Sequence, residues 1–279
     1  MGYPMAGHLS QDKDIDLYIY NRTNSVSAKW LNQFKGLKLK LSDTPNIKFD
    51  GLITCLKDDE SIIKVLITNK LIESLKKNSF VIDHSSTSIE LINTISSHKS
   101  IKKNNISFFD APVSGGEVGA INGTLSIMFG GPNKKISKIN KLMNSYSASI
   151  IKIGPSGHGQ LTKMVNQLCI AGLLQGLSEG LAFGKSSNLN MNKVFEAISG
   201  GAAQSWQMDN RFKTMVDGKF NFGFAVDLMI KDLKIALKQA GLENLDLRTS
   251  NSVIKNYKKL SKEGSGNLDT SSLIKLLEK

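Results

Sequence analysis

Gly154-Pro155-Ser156-Gly157-His158-Gly159-Gln160-Leu161-Thr162-Lys163-Met164-Val165-Asn166 divides the 279-residue chain into two kinds of sequence. The first four residues carry the glycine and proline of a turn. Before them, short apolar runs at 17–20, 51–56, 79–83, 106–111, 124–129 and 150–153 read as strands. Helical patterns separate several of them. Asp58-Asp59-Glu60 opens a helix with Ile62, Ile63, Leu66 and Ile67 on one face, and Ser85-Ser86-Thr87 is placed to cap a helix carrying Leu91, Ile92 and Ile95. This alternation predicts a mostly parallel sheet with helices on both faces. After the turn only helical patterns remain. The longest runs from 160 to 184 with Leu161, Met164, Val165, Leu168, Leu173, Leu177 and Leu181 in register; others cover 191–198, 206–215, 224–240, 248–260 and 270–277. The sequence therefore predicts an α/β domain over 1–156 and an all-helical domain over 157–279.

Composition narrows the partners. Apolar residues make up 40% and charged residues 22%, so most of the chain reads as globular rather than disordered. No run approaches the roughly 20 apolar residues that span a bilayer, and residues 1–5 lack the features of a signal peptide. The net charge of +12 raises nucleic acid as a partner, but the excess is lysine spread along the whole chain. Arg22, Arg211 and Arg248 are the only arginines, few for a protein that reads bases. A solvated lysine surface is the reading, with neither nucleic acid nor membrane as partner. Cys55 and Cys169 both lie in apolar runs and are expected as reduced core residues, not a disulfide or metal pair, which suits the cytoplasm.

Three stretches carry chemistry. Residues 1–9 read as a helix with Met5 and Leu9 toward the sheet, and Gly2 stands where the last glycine of a phosphate-binding turn would stand, at the start of the helix that meets a pyrophosphate. About 20 residues on, after a strand, Asn21-Arg22-Thr23 occupies the place where such folds meet the ribose 2′ position. An acid there favours NAD; a guanidinium pairs the 2′-phosphate of NADP, although an ordinary polar turn has the same composition. Asp110-Ala111-Pro112-Val113-Ser114-Gly115-Gly116 ends a strand in a glycine-rich bend whose amides at 114–116, with the Ser114 hydroxyl, can converge on a carboxylate. Lys163 and Asn166 lie three apart on the long helix and share a face. A lysine in a partly dry site exchanges a proton with an alcohol or carbonyl oxygen, and an amide can hold that oxygen. Lys231-Asp232 on a later helix is open to the same two readings, site or solvated face.

Together these blocks resemble the β-hydroxyacid dehydrogenase family, and within it the 3-hydroxyisobutyrate dehydrogenase-like members. The resemblance spans essentially the whole chain and is most specific at 110–116 with 119–128, at 157–166 and at 231–233. It implies a Rossmann-type N-terminal domain, a helical C-terminal domain with a cleft between them, and a homodimer or homotetramer in which the 160–184 helix is a contact surface. By position, Lys163 is similar to the family's catalytic lysine, Ser114, Gly115 and Gly116 to its substrate-carboxylate loop, Asn166 to its substrate-orienting asparagine and Lys231 to its later cleft lysine. Gly2, Met5, Asn21, Arg22, Thr23, Leu56, Ser86 and Lys231 fall at positions that line the cofactor, NADP by the Arg22 argument with NAD also open. The implied reaction is hydride transfer between NADP(H) and a small 3-hydroxy acid. A glyoxylate or succinic semialdehyde reductase would use the same residues, and a scaffold that kept the fold without turnover is the reading from another class. A sugar-acid phosphate decarboxylase would need a longer C-terminal domain. The chain departs from the family pattern at Lys57 (proline), Ser86 (threonine), Ile89 (often proline) and Gln167 (asparagine). The family's first strand and first two turn glycines are also missing, so that roughly ten upstream residues are expected, which the intact mass of the native protein would test.

Overall fold

The computed structural model describes residues 1–278. Two compact units emerge, Met1–Lys163 and a second beginning at Met164.

The first unit holds the strands. β1 (Tyr18–Ile19) and β2 (Leu37–Lys38) form a small parallel pair. A six-stranded sheet is made by β3 (Phe49–Thr54), β4 (Leu75–Asp83), β5 (Ser107–Asp110), β6 (Val113–Ser114), β7 (Leu125–Gly130) and β8 (Ser147–Gly154). β3, β4 and β5 run parallel, as do β7 and β8. β5 meets β7 antiparallel at Asp110 opposite Gly130, and the short β6 also pairs β7 antiparallel. The helices are α1 (Gly2–Leu9), α2 (Asn24–Leu31), α3 (Asp59–Ile62), α4 (Ile89–Ser97), α5 (Lys99–Lys103), α6 (Gly116–Asn122) and α7 (Ile136–Met143).

The pleat explains why both faces are covered. Phe80, Ile82 and Phe109 point to one side and pack with Met5 and Leu9 of α1 and Ile139 and Met143 of α7. Val81 and Phe108, one residue out of phase, point to the other side and pack with Ile62, Leu66, Leu91, Ile92 and Ile95. This is the doubly wound, Rossmann-type arrangement expected from the alternation of runs. Two details differ from the sequence reading. Ser88, not Ser85, Ser86 or Thr87, caps α4, accepting from the Leu91 amide at 3.0 Å. β2 and β6 were not foreseen, because two-residue strands leave no periodicity to read.

The long α8 (His158–Ser186) starts in the first unit and continues into the second. The second unit adds α9 (Met191–Ile198), α10 (Trp206–Val216), α11 (Val226–Leu242) and α12 (Arg248–Leu260), then a 3₁₀ segment, Thr270–Leu276, where an α-helix was expected. Ala171 and Leu174 pack with Met229 and Leu233 of α11 and Val253 and Tyr257 of α12. No helix among the described residues is long and apolar enough to cross a membrane.

The buried stripe of α8 is Gln160, Lys163, Met164, Gln167, Ala171, Leu174, Ser178 and Leu181, a 3–4 spacing apart from the adjacent pair 163 and 164. The sequence reading put Val165 and Leu173 on the core face; they are 60% and 47% exposed. It also put Cys169 in the core, and that thiol is exposed. The leucines misled the register because polar side chains, Gln160, Lys163, Gln167 and Ser178, share the true core face. Both cysteines are free.

Candidate active site

The carboxyl ends of β3, β4 and β5 meet the first turn of α8 in one hydrogen-bonded chain. Beyond β3, the Leu56 amide donates to Ser85 Oγ at 2.8 Å. Beyond β4, the Ser85 amide donates to Asp83 Oδ1 at 3.1 Å, and Thr54 Oγ1 donates to the same oxygen at 2.8 Å. From α8, Gln160 Nε2 donates to the Ser85 carbonyl at 2.7 Å while its Oε1 accepts from the Thr87 amide at 3.1 Å. At the end of β5, Asp110 accepts from the Gly157 amide at 2.7 Å and from the Gln160 amide at 3.0 Å. An anion at a helix N-terminus satisfies amides that have no partner within the helix and meets the positive end of the dipole. Glycine at 159 makes this approach possible: a Cβ there would run into the Asp110 carbonyl and stand 2.8 Å from Asp110 Oδ2.

Burial dominates the electrostatics of these strand ends. It pushes the Asp83 carboxyl up to about 6, against hydrogen bonds from Ser85 and Thr54 that lower it. Asp110, the cross-strand neighbour of Asp83, is also raised by burial, and the Gly157 and Gln160 amides oppose this. Burial lowers His84 to about 4, so the ring is neutral at physiological pH. Its Nδ1 lies 2.6 Å from the Ala111 carbonyl and its Nε2 3.0 Å from the Tyr146 hydroxyl. The only neutral tautomer that satisfies both carries its proton on Nδ1 and accepts from Tyr146.

The residues singled out in the sequence fall as follows. Gly2 starts α1 beside the end of β3, where a Cβ would lie 3.2 Å from Cys55 Cβ. Met5 is 2% exposed and belongs to the core, so its side chain packs α1 onto the sheet instead of facing a ligand; the helical spacing that puts Leu9 inward does the same to Met5. Asn21, Arg22 and Thr23 are all exposed after β1, and Asn21 Oδ1 accepts from the Thr23 amide at 2.8 Å. Leu56 and Ser86 are half-buried and flank the chain of hydrogen bonds. Ser114 is half-buried at the end of β6. Gly115 and Gly116 follow at φ +123° and +62°, conformations L side chains rarely adopt, and the space a Gly116 Cβ would take is open. No side chain caps α6, so its first amides lie behind that open space. Lys163 is 9% exposed.

In the second unit, Asn166 Nδ2 donates to Gln167 Oε1 at 2.8 Å, Gln167 Nε2 donates to Asp232 Oδ2 at 2.6 Å, and Lys231 Nζ lies 3.0 Å from Asp232 Oδ1. Asn166 and Lys231 are thus joined through Gln167 and Asp232. Sequence reasoning passed over Gln160, noted Gln167 only as a departure from the family pattern, and gave Asp110 and Asp232 no role of their own. The two glutamines, seven apart on one helix face, mark that face as polar but do not reveal the partners that give them a role.

Comparison with known proteins decides the class. The family model for the NAD binding domain of 6-phosphogluconate dehydrogenase matches residues 1–154, and that described as NAD-binding of NADP-dependent 3-hydroxyisobutyrate dehydrogenase matches residues 157–277. The chain belongs to the β-hydroxyacid dehydrogenase family. This makes it an NAD(P)-dependent oxidoreductase of hydroxy acids. It is 42% identical to an uncharacterized oxidoreductase of Shewanella frigidimarina over 100% of this chain and 95% of that protein. It is 31% identical to a probable mitochondrial 3-hydroxyisobutyrate dehydrogenase-like protein of Arabidopsis thaliana, over 100% of this chain and 83% of the relative. Among solved structures, 3-hydroxyisobutyrate dehydrogenase of Mycobacterium tuberculosis, determined with L-serine, superposes with a TM-score of 0.88 at 21% identity, covering 100% of this chain and 96% of that one. That likeness speaks for the fold of this β-hydroxyacid dehydrogenase.

Proposed function

We propose that the protein oxidises or reduces a small 3-hydroxy acid, of the 3-hydroxyisobutyrate type, or its aldehyde-acid counterpart, with NADP as the preferred cofactor. The observation that carries the reading is Lys163, a lysine 9% exposed on the inward stripe of a helix whose other buried residues soon become mostly apolar. Burying a charge is costly, and a fold retains such a lysine where its proton is used.

The residues present fit a dinucleotide. α1 begins without a side-chain cap, which leaves its first amides for a pyrophosphate, with Gly2 beside Cys55 at the end of β3. Arg22 is exposed at the end of β1, available to a 2′-phosphate, with Asn21 and Thr23 beside it. Leu56 and Ser86 would line the nicotinamide end. The bound nicotinamide supplies or takes up the hydride. The chain's own residues do the rest. Ser114, Gly115 and Gly116 hold the substrate carboxylate through backbone amides and the Ser114 hydroxyl. Lys163 gives a proton to the carbonyl oxygen in reduction and takes it back from the hydroxyl in oxidation. Asn166 holds that oxygen, and Lys231 adds positive charge for the acid or the cofactor.

Titration of NADPH and NADH by fluorescence tests the cofactor reading. Arg22→Leu should weaken NADPH by about 10- to 10²-fold, the worth of a charged hydrogen bond, and leave NADH nearly unchanged; equal loss for both removes the 2′-phosphate argument. A panel of 3-hydroxy acids and aldehyde acids assigns the substrate, and turnover confined to glyoxylate or succinic semialdehyde would move the reading to a reductase of those acids. The exposed Val165, Leu173 and Phe183 on α8 support self-association through that helix as a homodimer or homotetramer, and the two free thiols support a cytoplasmic setting. Light scattering that finds a monomer at working concentration would end the oligomer proposal.

A further inference from the structure

Gln160 has no part in the proton or hydride chemistry, yet it is among the most constrained side chains of the first unit. It is 1% exposed. Both ends of its amide are spent on one short segment: Nε2 on the Ser85 carbonyl at 2.7 Å and Oε1 on the Thr87 amide at 3.1 Å. The residue between them is Ser86. The backbone amide of Gln160 itself donates to Asp110 at 3.0 Å. The side chain therefore bridges the segment after β4 to the first turn of α8, and the same helix face presents Lys163 one turn later. A two-point clamp fixes a backbone segment in both distance and orientation, which a single hydrogen bond or an apolar contact of the same size does not.

We propose that Gln160 is a positioning residue that sets the Ser85–Thr87 segment, and with it the nicotinamide-lining Ser86, at a fixed distance from the lysine of α8. The inference rests on the function proposed above. The clamp works through geometry alone: with it, a cofactor seated against residue 86 and a substrate oxygen at Lys163 share one rigid frame; without it, the segment and the helix move independently. A misalignment of about 1 Å at a reacting centre costs on the order of 10²-fold in rate.

The test uses the full-length protein with two variants. Gln160→Leu keeps the approximate volume and removes both hydrogen bonds. Gln160→Glu keeps the acceptor for the Thr87 amide and loses the donor to the Ser85 carbonyl. Hydrogen exchange of the Thr87 amide, measured without cofactor, should speed up by about tenfold in Gln160→Leu and stay slow in Gln160→Glu. With saturating cofactor, kcat should fall by about 10- to 10²-fold in Gln160→Leu and less in Gln160→Glu, while KM for the hydroxy acid holds, because the Ser114–Gly116 loop is untouched. NADPH dissociation constants should rise in the same order. Wild-type kcat and NADPH affinity in both variants would overturn the proposal, and so would a loss of activity that merely follows the loss of folded protein. Should Gln160→Leu not fold, unchanged kcat and affinity in Gln160→Glu overturn it alone. If the wild-type protein binds neither NADPH nor NADH, the functional reading itself falls; if it binds and turns over while the Gln160 variants match it, only the positioning role falls.

Discussion

The two ends of α8 bury the same face of one helix and do opposite things with it. From Ala171 onward the stripe is apolar except for Ser178, whose hydroxyl donates to the Leu174 carbonyl of its own helix, with Leu174 against α11 and α12 and Leu181 against α10. Before it, Gln160, Lys163 and Gln167 are buried at the same spacing. Each of the two glutamines is matched to a named polar partner. A buried stripe that turns polar for two turns is a conflict between the rule for packing and the residues present, and such conflicts mark functional sites. The apolar end explains why the helix is there, and the polar end what it carries.

The largest test of this contrast sets Lys163→Ala against Leu174→Ala. The first should lower kcat by about 10²- to 10⁴-fold with little change in thermal midpoint, since it removes an acid-base group and a buried charge together. The second should leave kcat per folded molecule unchanged and cost about 2–5 kcal/mol in a denaturant titration, the usual range for a buried leucine. If Lys163→Ala kept near-normal turnover, the polar end would be merely structural and the proton role would be lost.

A smaller effect probes the strand ends on which the polar turn sits. Asp83 releases its proton near pH 6 in the fold and near 3.8 when unfolded. Between these values the folded state holds a proton that the unfolded chain has lost, so this group makes stability fall as pH rises from about 4 to about 6. His84 has the opposite sign: lowered from 6.5 to about 4, it refuses in the fold a proton that the unfolded chain accepts, and stability falls as pH drops through that window. Asp83→Asn keeps the acceptor for Thr54 and Ser85 but cannot ionise. Its stability relative to wild type should therefore improve by about 2–3 kcal/mol between pH 4 and pH 6.5 and be flat above. A pH-independent difference in urea midpoints would mean that Asp83 is not held protonated.

Much of this was legible in the sequence, and the gaps have physical causes. The strands at 79–83 and 106–111 were clear because residues buried on both faces of a sheet form continuous apolar runs. The glycines at 115 and 116 stood out because little else tolerates their φ. The register of α8 was misread because leucine marks a core face only when packing alone decides it; here polar side chains with buried partners hold that face and push Val165 and Leu173 outward. The roles of Gln160 and Asp110 were invisible for another reason. Their partners are backbone groups 47 to 75 positions away in the chain, and backbone has no letter in a sequence.

The smallest expected effect is the sharpest check on that corrected register. Cys169 and Ala171 stand two apart on α8, which places them on different faces of the helix. Cys169 is exposed, so Cys169→Ser should change the denaturant midpoint by less than about 0.5 kcal/mol, as surface substitutions do. Ala171 is fully buried, so Ala171→Leu should cost about 1–3 kcal/mol through overpacking against α11 and α12. At concentrations low enough to dissociate any oligomer, the thiol at 169 should also react with iodoacetamide without unfolding. Had the leucines set the register, the order would be reversed: residue 169 would be costly to make polar and slow to alkylate, and the enlarged side chain at 171 would extend harmlessly into water.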